Sequence, residues 1–268
     1  MTATTISPDT TDPARRVVRP IPTTRLVKVE LRKMLDTRSG FWMLISIGVL
    51  SVVATGAVVI FAPDSDVTYE NFARAIGFPM SVILPMIAIL AVTSEWSQRS
   101  GLTTFTLVPG RGRVIGAKAI AILVVGLGST AVALAVGAVG NLAGSALAGA
   151  DTVWDVSLSM APQMVLGNLV GMTIGFTLGV VLRNSAAAIV GYFVVSLVMP
   201  GILVLLAQVR SWFETLQPWI DWNETQVVLF EGATNTGEKW AMLGSTTMIW
   251  IVIPLIVGVL FLRRSEVK

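Results

Sequence analysis

The chain has 268 residues, of which 54% are hydrophobic and 13% charged, with a formal net charge of +3. A soluble domain carries roughly 25% charged residues, so most of this surface does not face water. Cysteine and histidine are both absent, which excludes disulfides, thiol nucleophiles, histidine general bases and Cys- or His-based metal sites.

Residues 1–24 are polar and rich in Thr, Pro and Arg, and read as a disordered cytoplasmic tail. Residues 25–268 read as a single transmembrane domain. At its start Val27, Leu31, Met34 and Leu35 recur at i, i+4, i+7 and i+8, one face of a helix. Arg25, Lys28, Arg32 and Lys33 occupy much of the rest. A basic amphipathic helix of this kind lies in the membrane interface, held by anionic headgroups; packing against a soluble partner is the alternative. The first apolar run begins after about 40 residues. It is longer than the roughly 7–15 residues of a cleaved signal sequence.

A membrane span needs about 20 largely apolar residues. Six uncharged runs qualify: Ser39–Pro63, Ala75–Ser94, Ala119–Ala150, Val156–Leu182, Asn184–Val209 and Trp240–Leu262. The third exceeds one span, so tilt or projection beyond the bilayer is expected. Arg183 and Asn184 leave room only for a very tight turn, making the fourth and fifth spans an antiparallel hairpin. With the N-terminus inside, 16 of the 19 Lys and Arg residues fall on the cytoplasmic side, leaving Arg74, Arg210 and Lys239 outside. Lys/Arg bias in short loops sets orientation, so both termini are expected in the cytoplasm of a multi-pass protein of the plasma (inner) membrane, by analogy a bacterial one. The basic balance reflects this asymmetry, and nucleic acid is not an expected partner.

The outer segments are acidic, and the last contains Trp212, Leu216 and Trp219 at i, i+4 and i+7. Trp favours the membrane interface, so short re-entrant or interfacial helices are expected before the sixth span, with a Trp-anchored surface loop as the alternative. Gly167, Gly171, Gly175 and Gly179 line one face of the fourth span, a pattern that admits a close backbone. The partner helix belongs either to this chain or to a second copy. Polar groups inside the spans are sparse: Asn141, Gln163, Asn168 and Gln208. Such amides either bridge helices or mark a transport path. The lack of carboxylates at mid-membrane argues against a proton- or sodium-coupled carrier.

The loop between the second and third spans mixes charge with apolar side chains. Glu95 and Arg99 lie one helical turn apart, Leu102, Phe105 and Leu107 or Val108 are free to bury, and Pro109 ends the segment. A short cytoplasmic docking helix fits, as does an interfacial loop dipping into lipid. Gly112 to Lys118 fails the phosphate-loop spacing, so no nucleotide site of that kind is present.

This loop, with Glu95, Gly101, Leu102, Thr103, Pro109, Arg111 or Arg113, and Lys118, resembles the membrane subunit of type-2 ABC transporters, the ABC exporter permeases. The likeness runs from about residue 24 to the end. Ser100 before Gly101, and Leu102 where Thr is commoner, depart from the family pattern. The resemblance implies an all-α integral membrane fold: six transmembrane helices, an N-terminal amphipathic interfacial helix, a cytoplasmic coupling helix at about 95–108 and short re-entrant outer helices before the last span. It implies ATP-driven export of an unidentified hydrophobic or amphipathic substrate, in the manner of multidrug or antibiotic exporters. The coupling helix, with Glu95, Arg99, Gly101, Leu102, Phe105 and Pro109, would dock two copies of a separate ATPase. A second permease copy, in a homodimer before a heterodimer, and membrane lipid complete the expected partners. The chain itself would be no enzyme and would bind no cofactor, ATP and Mg residing on the ATPase. A polytopic scaffold or assembly protein without transport activity is the alternative.

Overall fold

The computed structural model describes residues 21–97, 110–157, 159–230 and 236–264. Helix α1 spans Thr23–Asp36 and α2 spans Arg38–Phe61. They are followed by α3 (Tyr69–Ser97), α4 (Arg111–Ala148), α5 (Met160–Leu182) and α6 (Ser185–Val209). Two short helices, α7 (Ser211–Ile220) and α8 (Trp222–Phe230), precede the last long one, α9 (Gly237–Leu262). Six of these helices are long and apolar enough to cross a membrane, and the chain has the build of a multi-pass membrane protein. The residues 1–20 assigned to a polar tail lie outside the described residues.

Packing centres on α3 and α5. About half of each apolar window is buried, 50% and 56%, against 11% for α2, 17% for α6 and 22% for α9. Exposed side chains such as Trp42, Ile60 and Phe61 on α2 are what a lipid-facing surface carries. The stripe of glycines on α5 explains the intimacy of its contacts. A Cβ on Gly175 would stand 2.6 Å from the backbone oxygen of Pro85 on α3, and one on Gly179 would meet Val92 and Ile89. Gly171 and Gly167 instead face Gln226 and Phe230 of α8. The close partners of the stripe are therefore helices of the same chain.

Helix ends differ from the hydropathy boundaries where charge is locally paired. Helix α3 starts at Tyr69, six residues before its uncharged run, because Arg74 pairs with Glu70 one turn away and the Asp155 carboxylate accepts from the Glu70 N–H (2.8 Å). Helix α4 starts at Arg111, so Lys118 lies two turns inside it. The hairpin at 183–184 is as tight as the sequence demands. Arg183 closes α5 in the left-handed region (φ 53°) and the Asn184 side chain accepts from the Ala187 N–H, capping α6.

Prolines leave a second imprint. Pro200 and Pro254 each follow a π-helical stretch, Val194–Val198 in α6 and Met248–Val252 in α9. A proline lacks an N–H and crowds the carbonyl four residues back, and a widened turn relieves that crowding. The freed carbonyls find donors on other helices. In α6, Val195 accepts from Trp222 Nε1 (3.4 Å) and Ser196 from Asn223 Nδ2 (3.3 Å), both from α8. In α3, Ser81, four residues before Pro85, accepts from the Tyr192 hydroxyl (3.0 Å). Further bonds to α9 tie down this corner: Ser245 donates to the Trp219 carbonyl and Trp250 to that of Ile220.

A methyl at Gly175 has nowhere to go, since the atoms opposite are backbone. Gly175→Ala is expected to cost about 1–3 kcal/mol of stability, as overpacking does. Gly128→Ala, with nothing within 4 Å, is expected to be neutral. Thermal unfolding of the two variants in detergent, followed by size exclusion, separates them.

Candidate functional site

The termini of the helices that flank residues 98–109 are joined by a cluster of four charged side chains. Lys118 is 2% exposed. Its ammonium has three donors, and three oxygens stand around it: Glu30 Oε2 at 2.6 Å, the Ala91 carbonyl at 2.9 Å and Glu95 Oε1 at 3.3 Å. Lys33 closes the ring, 2.8 Å from Glu30 Oε1 and 3.4 Å from Glu95 Oε1. Two cations and two anions balance, which is the condition for burying charge at all. The cluster draws on three elements: α1 contributes Glu30 and Lys33, α3 contributes Glu95, and α4 contributes Lys118.

Local sequence explains how α1 reaches this site. Its apolar face is directed into the bundle: Val27, Leu31 and Met34 pack in one cluster with residues of α3 and α4 and with Leu262 of α9. Arg25, Lys28, Arg32 and Lys33 are exposed on the remaining surface, together with Val29 and Leu35. Glu30 lies on the buried face, between Val27 and Met34 in helical phase. Burial pushes its carboxyl up, but the charge and hydrogen bond of Lys118, reinforced by Lys33, outweigh burial and hold it below the ordinary value. Burial lowers the Lys33 ammonium, and the two carboxylates overcome this and raise it.

Of the residues assigned to a docking helix, Glu95 is placed by the structure, 3% exposed and turned into the cluster. Arg99, Gly101, Leu102, Phe105 and Pro109 lie outside the described residues. Glu30 is a member that the sequence analysis did not single out. The signal was a carboxylate on the apolar side of an otherwise basic helix, where nothing but a buried cation would hold it.

The intramembrane amides have separate fates. Asn141 donates to the Val153 carbonyl (2.8 Å), Asn168 reaches Thr130 (3.5 Å), and Gln208 is exposed at the end of α6. The Gln163 side-chain oxygen is buried with no partner among the described residues. In the segment before α9, Trp212 and Leu216 point outward while Phe213 and Trp222 are the buried anchors. Among the described residues no three Asp or Glu side chains converge as a metal site would require. Comparison with models of protein families and with curated proteins returned no match to this chain.

Removing Lys118 strands two buried carboxylates. Lys118→Met is expected to cost about 3–5 kcal/mol, much of it recovered in Lys118→Met/Glu30→Gln; a double-mutant thermal series measures the coupling. The pH dependence follows from the shifts. Because the Glu30 value is depressed, its contribution is present above 4.5 and is lost as pH falls through the lower folded-state value. The Lys33 contribution is present below 10.5 and is lost as pH rises through the higher folded-state value. Melting temperature is therefore expected to fall below pH 4.5 in the wild type and to fall less steeply in Glu30→Gln.

Proposed function

We propose that the chain is the membrane permease subunit of an ATP-driven exporter, working as a dimer with a separate pair of ATPase subunits. The observation that carries this reading is the buried cluster at the two flanks of residues 98–109. Helix α3 ends two residues after Glu95, and α4 begins at Arg111, two turns before Lys118. A partner pressing on the segment between them would move α3, α4 and α1 together, because Glu30 and Lys33 bind α1 to both flanking residues.

Three further features support it. Six helices of spanning length per copy are few for an alternating-access carrier, which fits assembly from two copies. The sparsity of ionisable groups in the spans fits energy supplied from outside the membrane. The likeness of the 95–118 region to exporter permeases implies a coupling helix with Glu95, Arg99, Gly101, Leu102, Phe105 and Pro109, and in this reading the pairing of Glu95 with Lys118 and Lys33 braces its start. In this reading the cluster end is cytoplasmic, the exposed basic residues of α1 meet lipid headgroups, and α7 and α8 are the re-entrant outer helices.

The test is co-expression of the tagged full chain with candidate ATPases, capture in detergent and measurement of ATP hydrolysis. An ATPase is expected to co-purify, and Phe105→Asp is expected to reduce capture at least tenfold with the bundle intact. Glu95→Ala is expected to lower thermal stability as well as capture. If no ATPase is retained by a folded, dimeric chain, the reading gives way to a scaffold without transport activity. Since the chain has no cysteine, single cysteines at positions 38 and 66 report sidedness directly. A membrane-impermeant maleimide is expected to label position 66, and not 38, in intact cells.

A further inference from the structure

A cavity of about 520 Å³ lies among α3, α4, α5, α6 and α8. That volume is in the range of pockets that hold drug-sized molecules, roughly 300–1,000 Å³. Its walls are mostly apolar, formed by residues such as Ile76, Met80, Leu134, Met164, Phe193 and Phe230. Elsewhere the bundle packs closely enough that single glycines matter, so this space is a local departure from the packing rule of protein interiors.

The polar atoms of the cavity define what would enter it. The carbonyls freed by Pro85 and Pro200 are already bonded to Tyr192, Trp222 and Asn223. Two side-chain amides, Asn168 and Gln226, are 5% and 6% exposed and line the cavity. Gln226 Nε2 donates to the Gly167 carbonyl (2.8 Å), which can only accept, so its amide orientation is determined. Thr130 spends its hydroxyl proton on the Gly126 carbonyl (2.8 Å), so Thr130 Oγ1 is left as an acceptor and the Asn168 Nδ2 must face it. Both amide oxygens are then left over. Among the described residues neither has a hydrogen-bond partner, and Asn168 Oδ1 is fully buried. An unmet acceptor in an apolar bundle is costly, and a ligand carrying a donor relieves it.

We infer that this cavity is a binding site for an uncharged amphiphile, with an apolar body and at least one hydroxyl or N–H group that donates to Asn168 and Gln226. Among the described residues the one charged side chain of the lining, Arg74, is paired with Glu70, so neither an anion nor a cation finds a free counter-charge there. A lipid acyl chain fits the apolar walls but offers no donor. The lining residues Phe78, Leu197 and Val227 are also exposed on the apolar outside of the bundle, which gives an apolar molecule a route in from the hydrocarbon phase. The site is defined within one copy of the chain and needs no ATPase, so it stands or falls separately from the export reading.

The experiment uses the full chain in detergent with two photoreactive probes, a diazirine-bearing decanol and the matching hydrocarbon, and maps adducts by mass spectrometry. The alcohol is expected to label peptides containing Met164 and Phe230, to be competed by excess decanol, and to exceed the hydrocarbon there roughly three- to tenfold, the worth of a hydrogen bond. Asn168→Leu/Gln226→Leu, which removes both acceptors, is expected to bring alcohol labelling down to the hydrocarbon level. Ala133→Phe, which fills the cavity and keeps both amides, is expected to abolish labelling by either probe. Equal labelling of the wild type by the two probes would identify an acyl-chain site and overturn the proposal. Adducts spread over the exposed faces of α2 and α9, without enrichment at the cavity, would overturn it too. The wild-type comparison decides between these results even if a variant fails to fold.

Discussion

A lysine ammonium at 2% exposure is costly to bury unless anions surround it, and the arrangement of one end of this protein follows from that constraint. Lys118 takes Glu30 from α1 and Glu95 from α3, and Lys33 restores neutrality. The N-terminal helix is thereby committed to the bundle. Its apolar stripe packs on α3, α4 and α9, and its carboxylate is consumed by a cation two turns inside α4. Either interaction alone would leave α1 free to pivot about its contact; together they set both its position and its rotation.

The same rule, that polar groups in an apolar bundle must be met from within, organises the other end. Pro85 and Pro200 each expose carbonyls within a span, and the chain meets these with side chains of distant helices. Helix α8 supplies two of those donors and also fits against Gly167 and Gly171, where a larger residue on α5 would exclude it. The short helices before α9 are thus held by hydrogen bonds that the prolines made necessary. The cavity lies where these requirements meet. Helices α3 and α6 are both distorted there by proline, and α8 closes the gap without filling it.

The two regions bear on the proposed permease role in complementary ways. The ion cluster makes the flanks of residues 98–109 a rigid unit with α1, suited to receiving force. In the other half α6 has a π-turn, carbonyls of α3 and α6 are bonded by side chains of other helices, and the cavity leaves spare volume between them. Helix α3 runs through both, bearing Glu95 near one end and Ser81 near its middle, and it is the physical link between them.

Much of the architecture was legible along the chain because it depends on composition over windows of about 20 residues. Apolar length defined six spans, glycine spacing marked the close-packed face of α5, and Arg183-Asn184 allowed nothing but a tight turn. The Lys/Arg asymmetry gave an expected orientation by the same kind of counting. What the tertiary structure alone decided was pairing. Whether the glycine stripe met its own chain or a second copy depended on which backbone approached it, and Pro85 did. That Glu95 turns inward, instead of outward to a partner, depended on two cations from other helices, Lys118 and Lys33, the latter 62 positions away in sequence. The cavity amides read in sequence as isolated polar residues, because a free acceptor is recognised only once every neighbouring donor has been assigned. Local pattern determines which segments leave water; which buried polar group meets which is a long-range matter, and no window along the chain contains it.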